Sequence, residues 1–415
     1  MDIKELNFIA NSLINGEECI AKNQLPSTKQ ELEVIISKEA EWHEMDAHIS
    51  FLPLNRLNSK EEREKGMAII SQVILTGKFT SGPYVDEIEK EIGAIYNGFC
   101  IATSSGTDAL KIALKALNIG YGDEVIVPLN SFAATENAIF AVGATPVFIN
   151  IDESNNIKYD EIDKLITNKT KAIIAVCLYG SARNMNETYN IAKKNGLNMI
   201  IDAAQCFGLK EIANYADIIT LSFNPFKNIG SFGKSGALIT RIEALGNYAR
   251  MYSYHGFLPG KKNIKGIDWG YNSRMDNMQA AILKEKMQLF NINALKRCYL
   301  AYRYIKELQP LEEKGKLKLP IEKEKNTWHL FPLFIEEGNK DELIKFAQKN
   351  NVEFDVYYPI LGHQYVTEFS KRYKSDASFK ISEKIHEKTL HIPLHNHMSL
   401  EEQNKIIALI YEYFE

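Results

Sequence analysis

Short apolar runs alternate with helical patterns along the chain from about residue 65 onwards. Runs such as "EVIVP" (124–128) and "NMIIDAA" (198–204) are apolar nearly throughout instead of at every second position. Such runs are typical of strands that are buried on both faces. Between them, apolar residues recur at spacings of three and four, which predicts helices with one buried face. The predicted helices cover residues 65–76, 84–96, 106–117, 132–142, 184–195 and 277–290. The predicted strands cover residues 99–104, 124–128, 145–151, 171–179, 198–204 and 217–223.

The order of these elements predicts an α/β protein of three parts. Strands that alternate with helices indicate a large domain at residues 51–290, built on a mainly parallel sheet covered by helices. Residues 1–50 are polar and helix-rich, which indicates an N-terminal helical extension. Residues 291–415 are expected to form a smaller C-terminal α+β domain, with short strands in "WHLFPLFI", "FDVYYPI" and "TLHIPL". A long helix at 276–309 is expected to connect the two domains, and ligands are expected beyond the carboxyl ends of the parallel strands.

Composition and charge indicate which classes of binding partner the protein is not built for. The chain has 415 residues and a net charge of −4, and its pI is about 6.2. This balance favours neither nucleic acid nor an anionic membrane surface as a partner. No apolar run is long enough for a membrane span, and the first residues lack the pattern of a signal peptide. The five cysteines are scattered without metal-ligand spacing, so a cytoplasmic protein with reduced thiols is expected.

Two segments are candidates for binding a phosphate group. The "GKS" at 233–235 resembles part of a P-loop, but Asn228 stands where that motif needs its first glycine, and a strand-like "GALIT" follows, so this hypothesis fails. No GxGxxG motif follows a strand either. The segment "ATSSGTDALKIALKAL" (102–117) instead predicts a strand, a tight turn and a helix that begins near Gly106. Backbone N–H groups at a helix start suit a phosphate, and Ser104, Ser105 and Thr107 add hydroxyl groups. A serine-capped helix without a ligand is the alternative.

An acid and an amide follow the strand at 198–204. Asp202 ends this buried-looking strand, and Gln205 lies three residues further along the chain. A carboxylate at that depth is unfavourable by several kcal/mol unless a cation or good donors surround it. Asp202 therefore either caps the following turn or faces a cationic ligand.

Lys227 completes a set of chemical groups at the strand ends. It follows the strand at 217–223 and Pro225, and parallel topology places these strand ends on one rim. A phosphate-binding turn, a buried acid and a lysine on the same rim suit pyridoxal phosphate, in which the lysine forms a Schiff base and the acid keeps the pyridine nitrogen protonated. Phe132, after the strand at 124–128, either stacks on the cofactor ring or belongs to the core. A solvated surface lysine is the alternative for Lys227.

Five motifs together identify a known family. "SSGTDAL", "NSFAATENA", "DAAQ", "SFNPFKN" and "NSRMDNMQAAI" resemble the DegT/DnrJ/EryC1/StrS sugar aminotransferases, and the resemblance covers roughly residues 50 to 412. It implies a pyridoxal-phosphate-dependent transferase of fold type I. Further segments, among them "TGKFTSGPY" and "DVYYPIL", resemble family members of kanosamine biosynthesis, an antibiotic pathway. This narrower likeness implies transfer of the amino group of glutamate to C3 of 3-oxo-glucose 6-phosphate.

The resemblance also implies roles for individual residues. Lys227 is implied as the Schiff-base lysine and Asp202 as the partner of the pyridine nitrogen. Gln205 is expected near the phenolic oxygen of the cofactor, and Phe132 is expected to stack on its ring. The implied phosphate-binding residues are Ser105, Gly106, Thr107 and Ser222, together with Asn272, which is expected to reach the cofactor of a neighbouring subunit. The last role implies a homodimer with shared sites.

The identity of the sugar is less constrained by the sequence. Many relatives carry His or Tyr at the position of Asn224 and "GEGG" where this chain has "GKSG" (233–236). Both positions are expected beside the substrate, so a nucleotide-linked keto sugar stays open as the alternative substrate. Residues considered for binding the sugar phosphate are Lys78, Arg183, Tyr254 and His255, for each of which a surface or packing role is the alternative.

Two other function classes receive less support. The histidines at 386, 391, 395 and 397 lack an acid at ligand spacing, so no metal site is expected. A regulator that keeps this fold and binds a sugar without turnover usually adds a basic DNA-binding helix-turn-helix. The acid-containing N-terminal arm shows no such pattern.

Overall fold

A seven-stranded sheet forms the centre of the larger part of the molecule. The computed structural model describes residues 25–40, 48–321, 325–365 and 378–415. In these ranges the strands of the large sheet are β1 (Phe99–Thr103), β2 (Glu124–Pro128), β3 (Thr145–Ile149), β4 (Thr170–Val176), β5 (Asn198–Asp202), β6 (Ile218–Ser222) and β7 (Gly236–Thr240). Their order across the sheet is β1-β7-β6-β5-β4-β2-β3. Neighbours from β6 to β3 run parallel, and β7 runs antiparallel to both β1 and β6. The predicted α/β fold with a mainly parallel sheet is confirmed.

Helices cover the sheet, and its strands are buried on both faces. The helices are α1 (Lys29–Ala40), α2 (Lys60–Thr76), α3 (Pro83–Tyr96), α4 (Gly106–Ala116), α5 (Ala134–Ala141), α6 (Met185–Lys194), α7 (Glu243–Tyr252), α8 (Asn277–Met287), α9 (Phe290–Glu313), α10 (Lys340–Lys349), α11 (Lys380–Lys388) and α12 (Leu400–Phe414). Successive residues of β4 enter different apolar clusters, with Ile173 in one and Ile174 in the other. Both clusters are buried, which explains why the strand sequence is a continuous apolar run.

The strand directions place several strand ends on one edge of the sheet. The carboxyl ends of β1, β2, β4, β5 and β6 share this edge, and β7 begins there because it runs in the opposite direction. Residues that follow Thr103, Val176, Asp202 and Ser222 therefore lie close together in space. The candidate groups of the sequence analysis follow these same residues.

The C-terminal part contains a second, smaller sheet. Its strands are β8 (Leu317–Lys318), β9 (Phe331–Ile335) and β10 (Thr389–Ile392), in the antiparallel order β10-β9-β8. The prediction of a strand in "FDVYYPI" is wrong, because this segment forms only one isolated bridge, between Asp355 and His391. Its apolar residues serve another purpose: Tyr357 and Tyr358 line a cavity at the edge of the large sheet.

The long helix predicted at 276–309 is divided into α8 and α9. The division falls at Gln288 and Leu289, and α9 continues through Pro310. α8 packs against α2 and α3, whereas α9 packs against α12 and β8. The two helices thus pack against different neighbours, and the chain forms a turn between them at Gln288 and Leu289.

The N-terminal segments pack on the C-terminal part of the chain. In α1, Leu32 and Ile36 are buried, and Glu33 accepts a hydrogen bond from the Tyr299 hydroxyl of α9. Further along, Arg56 forms a buried ion pair with Glu402 of α12, with an Nη1–Oε1 distance of 2.6 Å. The predicted extension at 1–50 includes residues 1–24 and 41–47, which lie outside the described ranges. The divisions at residues 50 and 290 stay predictions. Within the described ranges, none of the helices has the length and apolar character needed to cross a membrane.

Candidate active site

A cavity of about 500 Å³ opens at the shared edge of the large sheet. It collects residues from five strand ends of that sheet and from one segment of the C-terminal part. The lining residues are Ser105, Gly106, Thr107, Asp108, Leu110, Ser131, Phe132, Ala134, Val176, Leu178, Asp202, Ala204, Gln205, Ser222, Asn224, Phe226, Lys227, Lys234, Ser235, Tyr357 and Tyr358. Eight of the candidate residues from the sequence analysis are thus brought together here.

Asp202 lies at the inner end of the cavity, where β5 ends. Its side chain is buried. One carboxylate oxygen accepts a hydrogen bond of 2.9 Å from the Thr135 hydroxyl, and the other accepts one of 3.1 Å from the backbone N–H of Ala204. Burial raises the pKa of Asp202, while these hydrogen bonds and the charge of Lys227 act in the opposite direction. The acid therefore keeps capacity for a cationic ligand.

Lys227 lies on the loop between β6 and β7 and points into the same cavity. Burial lowers the pKa of its amine to about 8, and the negative charge of Asp202 partly opposes this shift. The amine lies 5.3 Å from the centre of the Phe226 ring. The side chain retains some access to the cavity. A lysine with a lowered pKa and access to a cavity is suited to nucleophilic and proton-transfer chemistry.

The start of α4 forms a cradle of neutral donors. Ser105 caps this helix by accepting a hydrogen bond of 3.1 Å from the Asp108 backbone N–H. A Cβ atom on Gly106 would lie 2.9 Å from the Ser222 Cβ, and one on Gly236 would lie 2.5 Å from the Gly106 backbone nitrogen. Glycine is therefore needed at both positions for β6, β7 and α4 to approach each other. The backbone N–H groups of this first turn and the Ser222 hydroxyl lie at the positive end of the helix dipole, which suits a phosphate.

An aromatic wall faces the strand ends, and sequence reasoning missed most of it. We use this name for Phe132, Tyr357 and Tyr358, all of which line the cavity. The rings of Phe132 and Tyr358 have centroids 5.4 Å apart. Gln205 donates a hydrogen bond of 3.0 Å from Nε2 to the Tyr358 hydroxyl, and its Oε1 accepts one from the Tyr179 backbone N–H. The Tyr358 hydroxyl and the Tyr179 backbone therefore fix the side-chain amide of Gln205, the residue that is expected near the phenolic oxygen of the cofactor.

Two histidines of the C-terminal part, the half-buried His386 and the buried His391, support this wall. His386 Nε2 donates to the Tyr358 carbonyl over 2.7 Å, and His391 Nδ1 accepts a hydrogen bond of 3.3 Å from the Tyr357 backbone N–H. Burial lowers the pKa of His391 to about 3 and lowers that of His386. Both rings are therefore neutral near pH 7. Nothing in the local sequence pattern signals these contacts, because about thirty residues separate the histidines from the tyrosines.

Five of the predicted site residues lie outside the cavity lining of this chain. Lys78 is exposed after α2. Arg183 is half-buried, with its Nε 3.8 Å from a carboxylate oxygen of Asp152. Tyr254 forms an isolated bridge with Asn272, and its ring lies 5.2 Å from that of His255. The structure thus groups Tyr254, His255 and Asn272 in one surface segment, and their roles stay predictions.

The cavity fits the binding of pyridoxal phosphate. The cradle at the start of α4 suits a phosphate group, and the Lys227 amine lies in the same cavity. The buried Asp202 also lines the cavity, and Lys227 is the charged group that acts on its carboxylate. These three features correspond to the three ends of the cofactor. Within the described ranges, no group of three or more His, Cys, Asp or Glu side chains is arranged to hold a metal ion.

Comparison with known proteins agrees with this geometry. Residues 60–411 match the model of the DegT/DnrJ/EryC1/StrS aminotransferase family. The 3-oxo-glucose-6-phosphate:glutamate aminotransferase of Bacillus subtilis is 43% identical over 86% of this chain and 82% of its own length. The dTDP-3-amino-3,6-dideoxy-alpha-D-galactopyranose transaminase of Aneurinibacillus thermoaerophilus is 33% identical over 88% of this chain and 99% of its own.

A solved structure has the same fold and a bound cofactor. NtdA from Bacillus subtilis, crystallised with the cofactor PMP, superposes with a TM-score of 0.86 at 41% identity, over 89% of this chain and 86% of that chain. This similarity confirms the α/β architecture of fold type I. The motifs at the strand ends, the cavity that they line and the family match over residues 60–411 lead to one conclusion. The chain belongs to the DegT/DnrJ/EryC1/StrS aminotransferase family.

Proposed function

We propose that this protein transfers the amino group of glutamate to C3 of 3-oxo-glucose 6-phosphate and releases kanosamine 6-phosphate. The observation that carries the proposal is the meeting of Lys227, Asp202 and the start of α4 in one cavity. The substrates follow from the 43% identity to the Bacillus subtilis enzyme named for this reaction. Kanosamine is an amino sugar of antibiotic biosynthesis, so the reaction would serve such a pathway.

Pyridoxal phosphate is the cofactor of this proposal. When bound, it supplies an aldehyde that a lysine can hold covalently and a ring that accepts the electron pair released from a substrate carbon. Ser105, Gly106, Thr107 and Ser222 hold its phosphate with hydroxyl and backbone donors. Asp202 holds a proton on the pyridine nitrogen, because an ionised carboxylate at that depth is stabilised by a facing cation.

Lys227 has two roles in this reaction. Its amine anchors the cofactor in the resting enzyme and is freed when a substrate amine takes its place. The free amine then moves a proton at the reacting carbon of the substrate. Because burial holds the pKa of Lys227 at about 8, a useful fraction of the amine is unprotonated near neutral pH, as a general base requires.

The proposal includes a homodimer with shared active sites. Asn272, Tyr254 and His255 lie together on a surface segment, outside the cavity of their own chain. The same segment exposes Ile264 and Trp269, each with 53% of its surface accessible. Exposed apolar residues grouped in this way favour a protein interface. In a homodimer, Asn272 would contact the cofactor phosphate of the neighbouring subunit. Lys78, Arg183, Tyr254 and His255 stay candidates for contacts with the sugar phosphate.

The proposed location is the cytoplasm. Four described cysteines, Cys100, Cys177, Cys206 and Cys298, are free and buried. Free thiols are typical of a reducing compartment, which supports this location.

A single-turnover assay tests the function. The enzyme is loaded with pyridoxamine phosphate and mixed separately with 3-oxo-glucose 6-phosphate, 3-oxo-glucose and a dTDP-linked 3-keto sugar, and the amino sugar formed is quantified. We expect the fastest transfer to 3-oxo-glucose 6-phosphate. Faster transfer to the dTDP-linked sugar would favour the second candidate, a nucleotide-sugar aminotransferase, which the 33% identity to the Aneurinibacillus enzyme supports. No transfer to any sugar would support a non-catalytic regulator instead.

A further inference from the structure

Lys234 is a second lysine of the cavity, and its charge has no partner in the described structure. It lies on the loop between Lys227 and β7 and lines the cavity. Its side chain is exposed. Among the residues that the structure describes, no acid forms an ion pair with its amine and no acceptor takes a hydrogen bond from it. Lys234 thus differs from Lys227, which lies beside Asp202.

The other charges that line the cavity are balanced within the protein. Asp108 forms an ion pair with Lys111 and accepts a hydrogen bond from the Ser104 hydroxyl. Asp202 and Lys227 both line the cavity, and their opposite charges interact. When these pairs are set aside, one positive charge is left in the described lining, at Lys234. An uncompensated cation in a cleft raises the local concentration of anions and favours an anionic substrate.

The position of Lys234 favours a substrate anion over the cofactor phosphate. The cradle at the start of α4 consists of neutral donors that already suit one phosphate. Lys234 is exposed, whereas Gly236, two residues along the chain, packs against the Gly106 backbone nitrogen in the interior. Asn224, a partly accessible amide, also lines the cavity. An amine and an amide are common donors to a phosphate oxygen.

We propose that Lys234 binds the phosphate group of the sugar substrate and thereby selects a phosphorylated sugar. This inference rests on the proposed function, since it names the residue that recognises the phosphate. A sugar phosphate carries about −1.5 to −2 charges at neutral pH, by analogy with other phosphate monoesters. A glutamate carboxylate carries one. The amine therefore discriminates more strongly for the sugar phosphate than for the amino donor.

The experiment measures binding of two unreactive probes to the enzyme loaded with pyridoxal phosphate. Glucose 6-phosphate and glucose, which carry a hydroxyl group at C3, are titrated by calorimetry into wild type, Lys234→Ala and Lys234→Arg. Lys171→Ala is the matched control, because Lys171 is an exposed lysine near the opposite end of β4. The affinity for pyridoxal phosphate and the apparent Kd of glutamate in its half-reaction are measured for each variant.

We expect Lys234→Ala to weaken binding of glucose 6-phosphate by about 10- to 100-fold, as for other charged hydrogen bonds, and to leave glucose binding unchanged. Lys234→Arg retains most of the preference for the phosphorylated probe, and Lys171→Ala retains all of it. The proposal is overturned if Lys234→Ala keeps the wild-type preference, if it weakens glutamate by the same factor, or if the loss falls on pyridoxal phosphate affinity. Binding of the probes needs no turnover, so failure of the proposed reaction would be seen separately, in the single-turnover assay.

Discussion

The two walls of the cavity differ in their chemistry and in how the chain builds them. One wall lies at the sheet edge and carries the charges, and we call it the charged wall. It consists of Asp202 at the end of β5, Lys227 after β6, and the positive end of α4. The aromatic wall is neutral, and two neutral histidines of the C-terminal part hold its tyrosines. The charged groups thus lie at or just after strand ends of the large sheet, and the aromatic wall lines the cavity beside them.

This difference shows that the reactive groups of the cavity and the tyrosines that enclose it come from different parts of the chain. Charges at strand ends are fixed by backbone that the sheet holds in place, which keeps their separation constant. A neutral aromatic wall excludes water and strengthens the electrostatic interactions in the cavity without adding a competing charge. We therefore expect substitutions in the charged wall to impair the reaction strongly, and substitutions in the aromatic wall to impair it moderately.

The largest effect is expected for Lys227. Both Lys227→Ala and Lys227→Arg remove the nucleophilic amine, and Arg keeps the positive charge. Amino transfer should fall by about 10³-fold or more in both variants, and the visible absorbance of lysine-bound pyridoxal phosphate should disappear. Stopped-flow absorbance and single-turnover product analysis check this. Activity of Lys227→Arg close to wild type would show that charge alone is required and would refute the covalent role.

A second large effect is expected for Asp202→Asn. The amide keeps the size of the side chain but loses the charge that holds a proton on the pyridine nitrogen, so the rate of amino transfer should fall by about 10²-fold or more. Because burial raises the pKa of Asp202, its ionised form is unfavourable in the protein without cofactor. The free energy of unfolding of the apoprotein should therefore be unchanged or higher in the variant. Urea denaturation and steady-state kinetics measure the two quantities, and a variant that is both active and destabilised would contradict this assignment.

The pH dependence of chemical labelling at Lys227 tests how Asp202 affects the pKa of the lysine amine. In the apoprotein, labelling of Lys227 by an amine-reactive reagent should follow an apparent pKa near 8, compared with about 10.4 for an ordinary lysine. The reactive, unprotonated amine should therefore accumulate as the pH rises through 8. Asp202→Asn should lower the apparent pKa further, since the negative charge at 202 favours the protonated amine. Mass spectrometry of the labelled peptide across pH checks both shifts, and a rise in the variant would contradict the arrangement.

A smaller effect is expected for Tyr358→Phe. The change removes the hydroxyl group that accepts a hydrogen bond from Gln205 and keeps the ring that packs against Phe132. Loss of one such hydrogen bond should lower kcat/KM by about two- to tenfold. Tyr189→Phe on α6 is the matched control and should leave kcat/KM unchanged. A loss of 10³-fold in Tyr358→Phe would move this hydroxyl group into the reactive machinery and would break the distinction between the two walls.

Local sequence patterns predicted the charged wall well. The strands at 124–128, 198–204 and 217–223 were predicted within two residues of the observed ends, because buried parallel strands have continuous apolar runs. Strand ends of a parallel sheet meet at one edge, so the joint position of Asp202 and Lys227 followed from the topology. The turn before α4 was also predicted, since Ser105 and Gly106 carry a recognisable helix start.

The aromatic wall was decided by the tertiary structure. "FDVYYPI" has the apolar character of a strand, and no local signal shows that its tyrosines face a cavity more than a hundred residues away in sequence from Asp202. The turn between α8 and α9 is similar, because it depends on which helices each half packs against. The unpaired charge of Lys234 is also invisible in the sequence, since pairing depends on which acids the fold brings near. Periodicity and strand-end chemistry are local and can be read along the chain, whereas enclosure and charge balance depend on contacts between distant segments.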